Sequence, residues 1–320
     1  MDEPQVLVAG EALIDLFPAT SGPIADAETL QRRAGGAPAN VAVALSRLGH
    51  PPLLWTRLGD DPFGTHLADV LAENGVREGL IETDSDRKTA HTLVGQDDDG
   101  DQSFTFFAEG TATFAMEPSV VADETLETVE WVHVGGVTLH TEPSRSATLE
   151  LMERAGEYGC TVSFDPNTRA DLWPEESVLV ETLERAIELA DVVKTDQEDL
   201  ALLVDAPDED ALASAVLERG PHTVMLTRGG DGAMARASEA APWGPATTEF
   251  GGYEVDTVET TGAGDAFVAG SIAGFTGECQ SLSETVQYAS AVGALATTET
   301  GAMDGLPTAE AVTRLFEDSV

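Results

Sequence analysis

Thr260-Thr261-Gly262-Ala263-Gly264-Asp265-Ala266-Phe267 opens an apolar, helix-like run in the last third of the chain. Two glycines flank an alanine, and an aspartate follows at once. Glycine lets backbone N–H groups approach a phosphate with no side chain in the way. The start of a helix adds partial positive charge, which favours an anion there. An aspartate held beside that anion can take a proton from an attacking hydroxyl. Taken alone, the segment reads equally as a turn whose aspartate caps a buried helix.

A second glycine cluster adds weight to the first reading. Ala34-Gly35-Gly36-Ala37-Pro38-Ala39-Asn40 also leads into a helix. The Gly-Gly pair allows close backbone approach to a ligand, and Asn40 offers both a donor and an acceptor. Asparagine is scarce here, and two of the three, Asn40 and Asn167, fall in candidate site motifs. By itself this cluster is also an ordinary loop into a capped helix. Two common phosphate loops are excluded by spacing. No GxxxxGK[ST] occurs, and no GxGxxG follows the first strand.

Outward from these segments the chain alternates strand and helix. Strands are expected at Gln5–Ala9, Pro52–Thr56, Trp131–Val137, Cys160–Asp165, Val192–Thr195 and Thr223–Thr227. Helices are expected at Asn40–Leu48, His66–Glu73, Ser144–Tyr158, Val178–Leu189, Ala211–Glu218 and Glu284–Thr297. That rhythm predicts a parallel sheet with helices on its faces. Residues 88–114 break it with a hairpin pattern around Asp97-Asp98-Asp99-Gly100-Asp101. The acidic tip reads as a solvated turn rather than a calcium loop, because it lacks the closing glutamate.

The charge is extreme, with 58 acidic against 16 basic residues and a net −42. A general nucleic-acid-binding surface is excluded. The 42% apolar content argues for a folded core beneath a carboxylate-coated surface. Such self-repulsion calls for screening, and at about 1 M salt the Debye length falls to about 3 Å. The expectation is a salt-rich cytosol, as in extreme halophiles. Withdrawing KCl should therefore lower the urea midpoint of unfolding; a midpoint unchanged or raised without salt contradicts this. Cys160 and Cys279 form no disulfide framework and read as free thiols. Met1-Asp2-Glu3-Pro4 lacks a signal peptide's positive region, and no apolar run reaches the roughly 20 residues of a membrane span. A cytoplasmic protein with no membrane partner is expected.

The pair GGAPAN (35–40) and TTGAGDAF (260–267) resembles the two characteristic segments of the ribokinase-like, PfkB carbohydrate kinase family. Further matches follow in order: Gly10-Glu11-Ala12-Leu13-Ile14-Asp15, Asp165-Pro166-Asn167-Thr168-Arg169, Val193-Lys194-Thr195-Asp196 and Thr227-Arg228-Gly229-Gly230-Asp231-Gly232. The similarity covers nearly the whole chain. It implies a doubly wound, mostly parallel α/β sheet with helices on both faces and a small β lid. The core would be 1–15, 34–87 and 115–320, and the lid 16–33 and 88–114.

The resemblance also implies roles. Asp265 would be the general base, and Gly262, Ala263 and Gly264 the anion hole for the phosphoryl group. Asp15, Gly35, Gly36, Asn40, Asn167 and Arg169 would bind the sugar. Lys194, Asp196, Thr227, Gly229, Gly230, Gly232, Gly264 and Ser290 would line the nucleotide. Asp196 and Asp199 would serve Mg²⁺; Glu259 and Thr261 would serve a monovalent cation such as K⁺. ATP and a small sugar would be the partners, and two copies would pair through the lid.

Several positions depart from the family pattern. Asp196-Gln197-Glu198-Asp199 replaces an Asn-x-x-Glu, Glu259 replaces an aspartate, and Ser290 replaces an asparagine near the adenine. Phe107-Ala108-Glu109-Gly110-Thr111-Ala112 lacks the Tyr-Arg lid pair of many sugar and sugar-acid kinases. This favours a neutral sugar, fructose or a similar ketose. A 2-keto-3-deoxygluconate kinase, a ribokinase or nucleoside kinase, and a non-catalytic sugar or nucleotide sensor are the alternatives.

Overall fold

A computed structural model describes residues 5–19, 24–96 and 102–317. The N-terminal 1–4 and the acidic run 97–101, both singled out above, lie outside the described residues. The strands are β1 (Val6–Ala9), β2 (Leu13–Pro18), β3 (Leu30–Gly35), β4 (Leu53–Gly59), β5 (Ile81–Asp84), β6 (His91–Gln96), β7 (Gln102–Phe107), β8 (Trp131–Gly135), β9 (Thr161–Asp165), β10 (Val192–Thr195), β11 (Thr223–Thr227), β12 (Ala233–Ala237) and β13 (Ala246–Phe250). The helices are α1 (Ala37–Arg47), α2 (Pro62–Glu73), α3 (Asp123–Leu126), α4 (Ser144–Glu157), α5 (Glu176–Leu189), α6 (Glu209–Leu217), α7 (Ala263–Ala273), α8 (Leu282–Ala296) and α9 (Ala309–Glu317).

One nine-stranded sheet runs β13-β12-β11-β10-β9-β8-β1-β4-β5. From β11 to β5 every neighbouring pair is parallel; β12 and β13 close one edge antiparallel. A second, four-stranded sheet has the order β3-β2-β6-β7.

The parallel strands are apolar on both faces because helices cover both. Alternation along β1 shows it: Val6 and Val8 pack with α1, α7 and α8, while Leu7 and Ala9 face the other way, toward α4 and α5. α7 is buried over most of its circumference, from Ala266 to Ala273, since it lies between the sheet and neighbouring helices. Helix starts are fixed by short polar side chains. Asp61 accepts from the Phe63 and Gly64 N–H groups ahead of α2, Asp208 from Ala211 ahead of α6, and Ser281 from Glu284 ahead of α8. Each such cap contributes about 1 kcal/mol. A small apolar cluster of Leu13, Ala90, Ala108, Phe114 and Val137 lies at the base of the small sheet.

The strand expected at Trp131–Val137 stops at Gly135, and a tight turn covers Gly136–His140. The chain must bend there because the Pro166 carbonyl crowds Gly136; a Cβ on it would lie 1.9 Å from that oxygen. β5, β12, β13, α3 and α9 have no counterpart among the elements expected from the sequence. Among the described residues no helix is long and apolar enough to cross a membrane.

Candidate active site

Parallel strands end on one edge, so whatever follows each strand is gathered there. Glu11 lies just beyond β1, Asp165 ends β9, Lys194 is the penultimate residue of β10 and Asp196 follows it, and the turn through Gly232 leaves β11 at Thr227. This is the crevice where ligands bind in open α/β sheets. α1 is seated on the same edge by Pro38. Its ring fills the space where Gly10 and Gly135 lack side chains, with would-be Cβ distances of 2.3 and 2.9 Å. The turn into α1 needs Gly36 at φ +101°, packed on the Glu11 carbonyl.

Asp265 lies in the first turn of α7, behind Gly262 at φ +83°. Asn40 Nδ2 donates to Asp265 Oδ2 at 2.7 Å, joining two segments 225 residues apart. The two glycine clusters therefore meet at one carboxylate. Burial pushes the Asp265 carboxyl up to about 6; the Asn40 hydrogen bond opposes the rise, while Asp165 adds to it. A base with such a value is ionised at neutral pH yet basic enough to accept a proton.

Asp15 lies directly over Gly35. A Cβ there would be 2.1 Å from Asp15 Oδ2, so glycine is what lets the carboxylate lie over β3. Burial and the Asp265 charge raise Asp15 to about 7, against the pull of Arg33. Glu11 was quoted in the sequence motif without a role. Its Oε1 accepts from the Ala37 N–H at 3.2 Å, capping α1 from outside the helix. Burial raises its carboxyl to about 8. The one signal for it in the sequence is a charged residue one glycine beyond an apolar strand.

Asp165 is buried between two partners. Its Oδ1 accepts from the Asn167 N–H at 3.2 Å, and its Oδ2 pairs with Lys194 Nζ at 3.1 Å. Burial works against the Lys194 charge, but Asp165, Asp199 and Asp196 outweigh it and raise its pKa. Lys194 Nζ would be 3.4 Å from a Cβ on Gly264, so a cation lies beside the glycine run. Asp199 accepts from the Thr168 N–H at 2.7 Å; burial, then Asp165 and Asp196, raise it to about 7. Asn167 has φ +38°, and the Arg169 guanidinium lies 5.6 Å from the Phe104 ring centre on β7.

Gly229, Gly230 and Gly232 make the tight turn between β11 and β12, and Thr227 Oγ1 approaches the Thr195 carbonyl at 3.5 Å. Ser290 is buried in α8 and donates its proton to the Val286 carbonyl at 2.7 Å, which leaves its oxygen only as an acceptor. Glu259 also has protein partners, Arg33 at 3.0 Å and the Gly301 N–H at 3.1 Å.

Buried polar atoms in folded proteins almost always have partners. Here Glu11 Oε2, Asn40 Oδ1, Thr92 Oγ1 and Thr168 Oγ1 are buried and lack one. Thr92 stands opposite Asp15 in the β2–β6 ladder. These atoms are all oxygens in segments that also carry Asp15, Asp265 and Arg169, and they suit a ligand that presents hydroxyl donors.

The chain matches the family model described as "pfkB family carbohydrate kinase" over residues 3–309. It belongs to that family. This kinase is 37% identical over 322 residues to a fructokinase of Salmonella typhimurium, covering 98% of this chain and 99% of that protein. It superposes with a TM-score of 0.88 on a fructokinase with bound ATP from Xylella fastidiosa, at 31% identity and 99% coverage of both chains. A fructokinase double mutant from Vibrio cholerae in fructose-, ADP- and potassium-bound form gives a TM-score of 0.83 at 30% identity, covering 99% of this chain and 100% of that one.

The kinase's carboxylates set a pH dependence. If Asp265 (about 6) is the base, it has to be ionised to take a proton, and Asp15 (about 7) accepts hydrogen bonds most strongly when ionised. The ionised forms dominate above these values and vanish below them. kcat/KM should therefore rise with pH through 6 to 7 and level off above. A profile flat down to about pH 5 contradicts this assignment.

Proposed function

We propose that this kinase transfers the γ-phosphoryl group of ATP to a hydroxyl of fructose or a closely related neutral ketose. The observation that carries it is the Asp265 carboxylate, held by Asn40 at 2.7 Å at the start of α7 beside Gly262 and Gly264; the Ala263 N–H donates to the Thr260 carbonyl at 3.2 Å in this structure. Asp265 takes the proton as the sugar oxygen bonds to phosphorus. The bond from phosphorus to the β-phosphate oxygen breaks, and ADP leaves with that electron pair. The amides at the start of α7 and the Lys194 ammonium offset the charge of the group in flight. Asp15, Gly35 and Asn40 orient the sugar. The small sheet acts as a lid that keeps water from the phosphoryl group.

Mg²⁺ fits the residues present. An ion of this kind needs only one or two protein carboxylates, with waters and substrate phosphates completing its shell. Asp196 and Asp199 are the carboxylates that would hold it; burial, then the charges of Asp165 and Asp196, raise Asp199, a cost that a bound cation would relieve. Bound there, the ion would neutralise phosphate charge.

A neutral substrate is favoured over a sugar acid. Asp265, and Asp15 above its raised value of about 7, carry negative charge into the cleft and would repel another carboxylate. Arg169 rests on Phe104 of the lid. The surface charge supports work in a salt-rich cytoplasm, and Leu30 and Phe107, exposed on the outer lid strands, support pairing through the lid. Coupled assays at high KCl with Mg-ATP and fructose, 2-keto-3-deoxygluconate, ribose and adenosine test the reading. Fructose should show the highest kcat/KM. Binding of a sugar with no turnover of any would make the protein a sensor.

A further inference from the structure

Glu259 stands six residues before Asp265, in the loop that enters the anion hole. The sequence reading assigned it, with Thr261, to a monovalent cation. Its surroundings do not fit that ion. Arg33 Nη1 lies 3.0 Å from Glu259 Oε2 and 3.3 Å from Oε1, and the Gly301 N–H donates to Oε2 at 3.1 Å. A fixed guanidinium already supplies the positive charge, and a second cation on the same carboxylate would be repelled.

The junction is built from three distant segments. Arg33 comes from lid strand β3, directly opposite Asp15 in the ladder, and its guanidinium lies 4.5 Å from the Phe17 ring centre. The Val258 and Glu259 N–H groups both donate to the Thr297 carbonyl, at 2.8 and 3.2 Å, which ties the loop to the end of α8. Gly262 of the anion hole packs on Ala302; a Cβ there would be 3.0 Å from the Ala302 Cα. Gly301 brings Arg33 close, with a would-be Cβ 3.7 Å from Arg33 Cδ and 3.3 Å from Asp304 Oδ2. Arg33 and Glu259 are both partly buried, so water screens them less than a surface pair.

We propose that the Arg33 guanidinium, carried by the lid, replaces a monovalent cation at Glu259 and holds the anion-hole loop in its working position, so that turnover needs no specific K⁺. Arg33 is thus a positioning residue that couples lid placement to the Gly262–Gly264 amides. The proposal rests on the kinase reading for its rate effects and on the Glu259 geometry for its cation effects.

The test measures kcat for fructose and the thermal midpoint in KCl, NaCl and tetramethylammonium chloride at one fixed ionic strength. Wild-type kcat should agree within about threefold across the salts. A larger gain specific to K⁺ overturns the proposal. In Arg33→Met the uncovered Glu259 carboxylate should recruit K⁺. Its kcat should fall about tenfold in tetramethylammonium and recover in KCl. K⁺ should also raise its midpoint more than it raises that of the wild type. Arg33→Lys, which keeps a charge, should lie nearer the wild type. If Arg33→Met answers the three salts as the wild type does, in rate and in midpoint, Arg33 has no such role. The wild-type series needs no variant, so an insoluble Arg33→Met still leaves the proposal open to refutation. If no preparation turns over any sugar, the kinase reading fails, while the midpoints still decide this inference.

Discussion

Asp265→Asn should lower kcat by a factor of about 10²–10⁴ while sugar affinity stays within a few-fold, the range set by losing a positioned general base. Asparagine has nearly the shape of aspartate and still presents an oxygen to Asn40 Nδ2, so the 2.7 Å link between α1 and α7 can persist. It has no basic lone pair to take the hydroxyl proton. Stability should not suffer. The native carboxyl is raised from 3.8 to about 6, which means that ionising it in place is unfavourable relative to the unfolded chain. Above that pH the wild type carries this penalty and the variant does not. Single-turnover kinetics, titration calorimetry with sugar and a urea midpoint together separate chemistry from folding. A kcat within about tenfold of wild type would remove Asp265 from the proton transfer.

Lys194→Met should fail in both rate and stability. Lys194 Nζ and Asp165 Oδ2 are 3.1 Å apart, with side chains only 12% and 7% exposed. Breaking such a pair strands a buried carboxylate and costs about 3 kcal/mol or more. Asp199 and Asp265 both feel the Asp165 charge, so the stranded group is also repelled by its neighbours. Catalysis loses the cation beside Gly264 at the same time. The pair Asp165→Asn with Lys194→Met should recover much of the stability, since no charge is then left alone, but not the rate. Urea at constant KCl is the denaturant to use, because guanidinium chloride would change the screening that this acidic chain depends on. A single variant within about 0.5 kcal/mol of wild type would show the pair to be structurally idle.

The fold was legible where burial leaves a pattern. β1, β10 and β11 are short apolar runs bounded by turn residues, and α4, α5 and α8 repeat apolar positions at helical spacing. β12 and β13 were not legible. AMARA carries little β preference and ATTEF, despite its two threonines and phenylalanine, is only five residues long; pairing of β12 with β11 and of β13 with β12 supplies the order instead. β5 is four residues long and joins the sheet only through β4.

The site divides in the same way. Asp265, Asn40, Asp15 and the glycine clusters could be named because close backbone approach restricts residue type locally. What each touches could not be. Asn40 with Asp265, Arg33 with Glu259 and Lys194 with Asp165 are 225, 226 and 29 residues apart, and only the folded sheet edge brings them together. Ser290 shows the same limit: its sequence position gives no hint that, inside a buried helix, its proton goes to the carbonyl four residues back and leaves only acceptor capacity.

The most direct measurement is a crystal structure of Asp265→Asn with fructose, Mg²⁺ and a non-hydrolysable ATP analogue. A sugar hydroxyl should lie within hydrogen-bond reach of the residue 265 side chain, in line with a terminal phosphate seated on the amides of residues 262–264. A sugar bound elsewhere, or a phosphate chain that avoids those amides, would contradict the account.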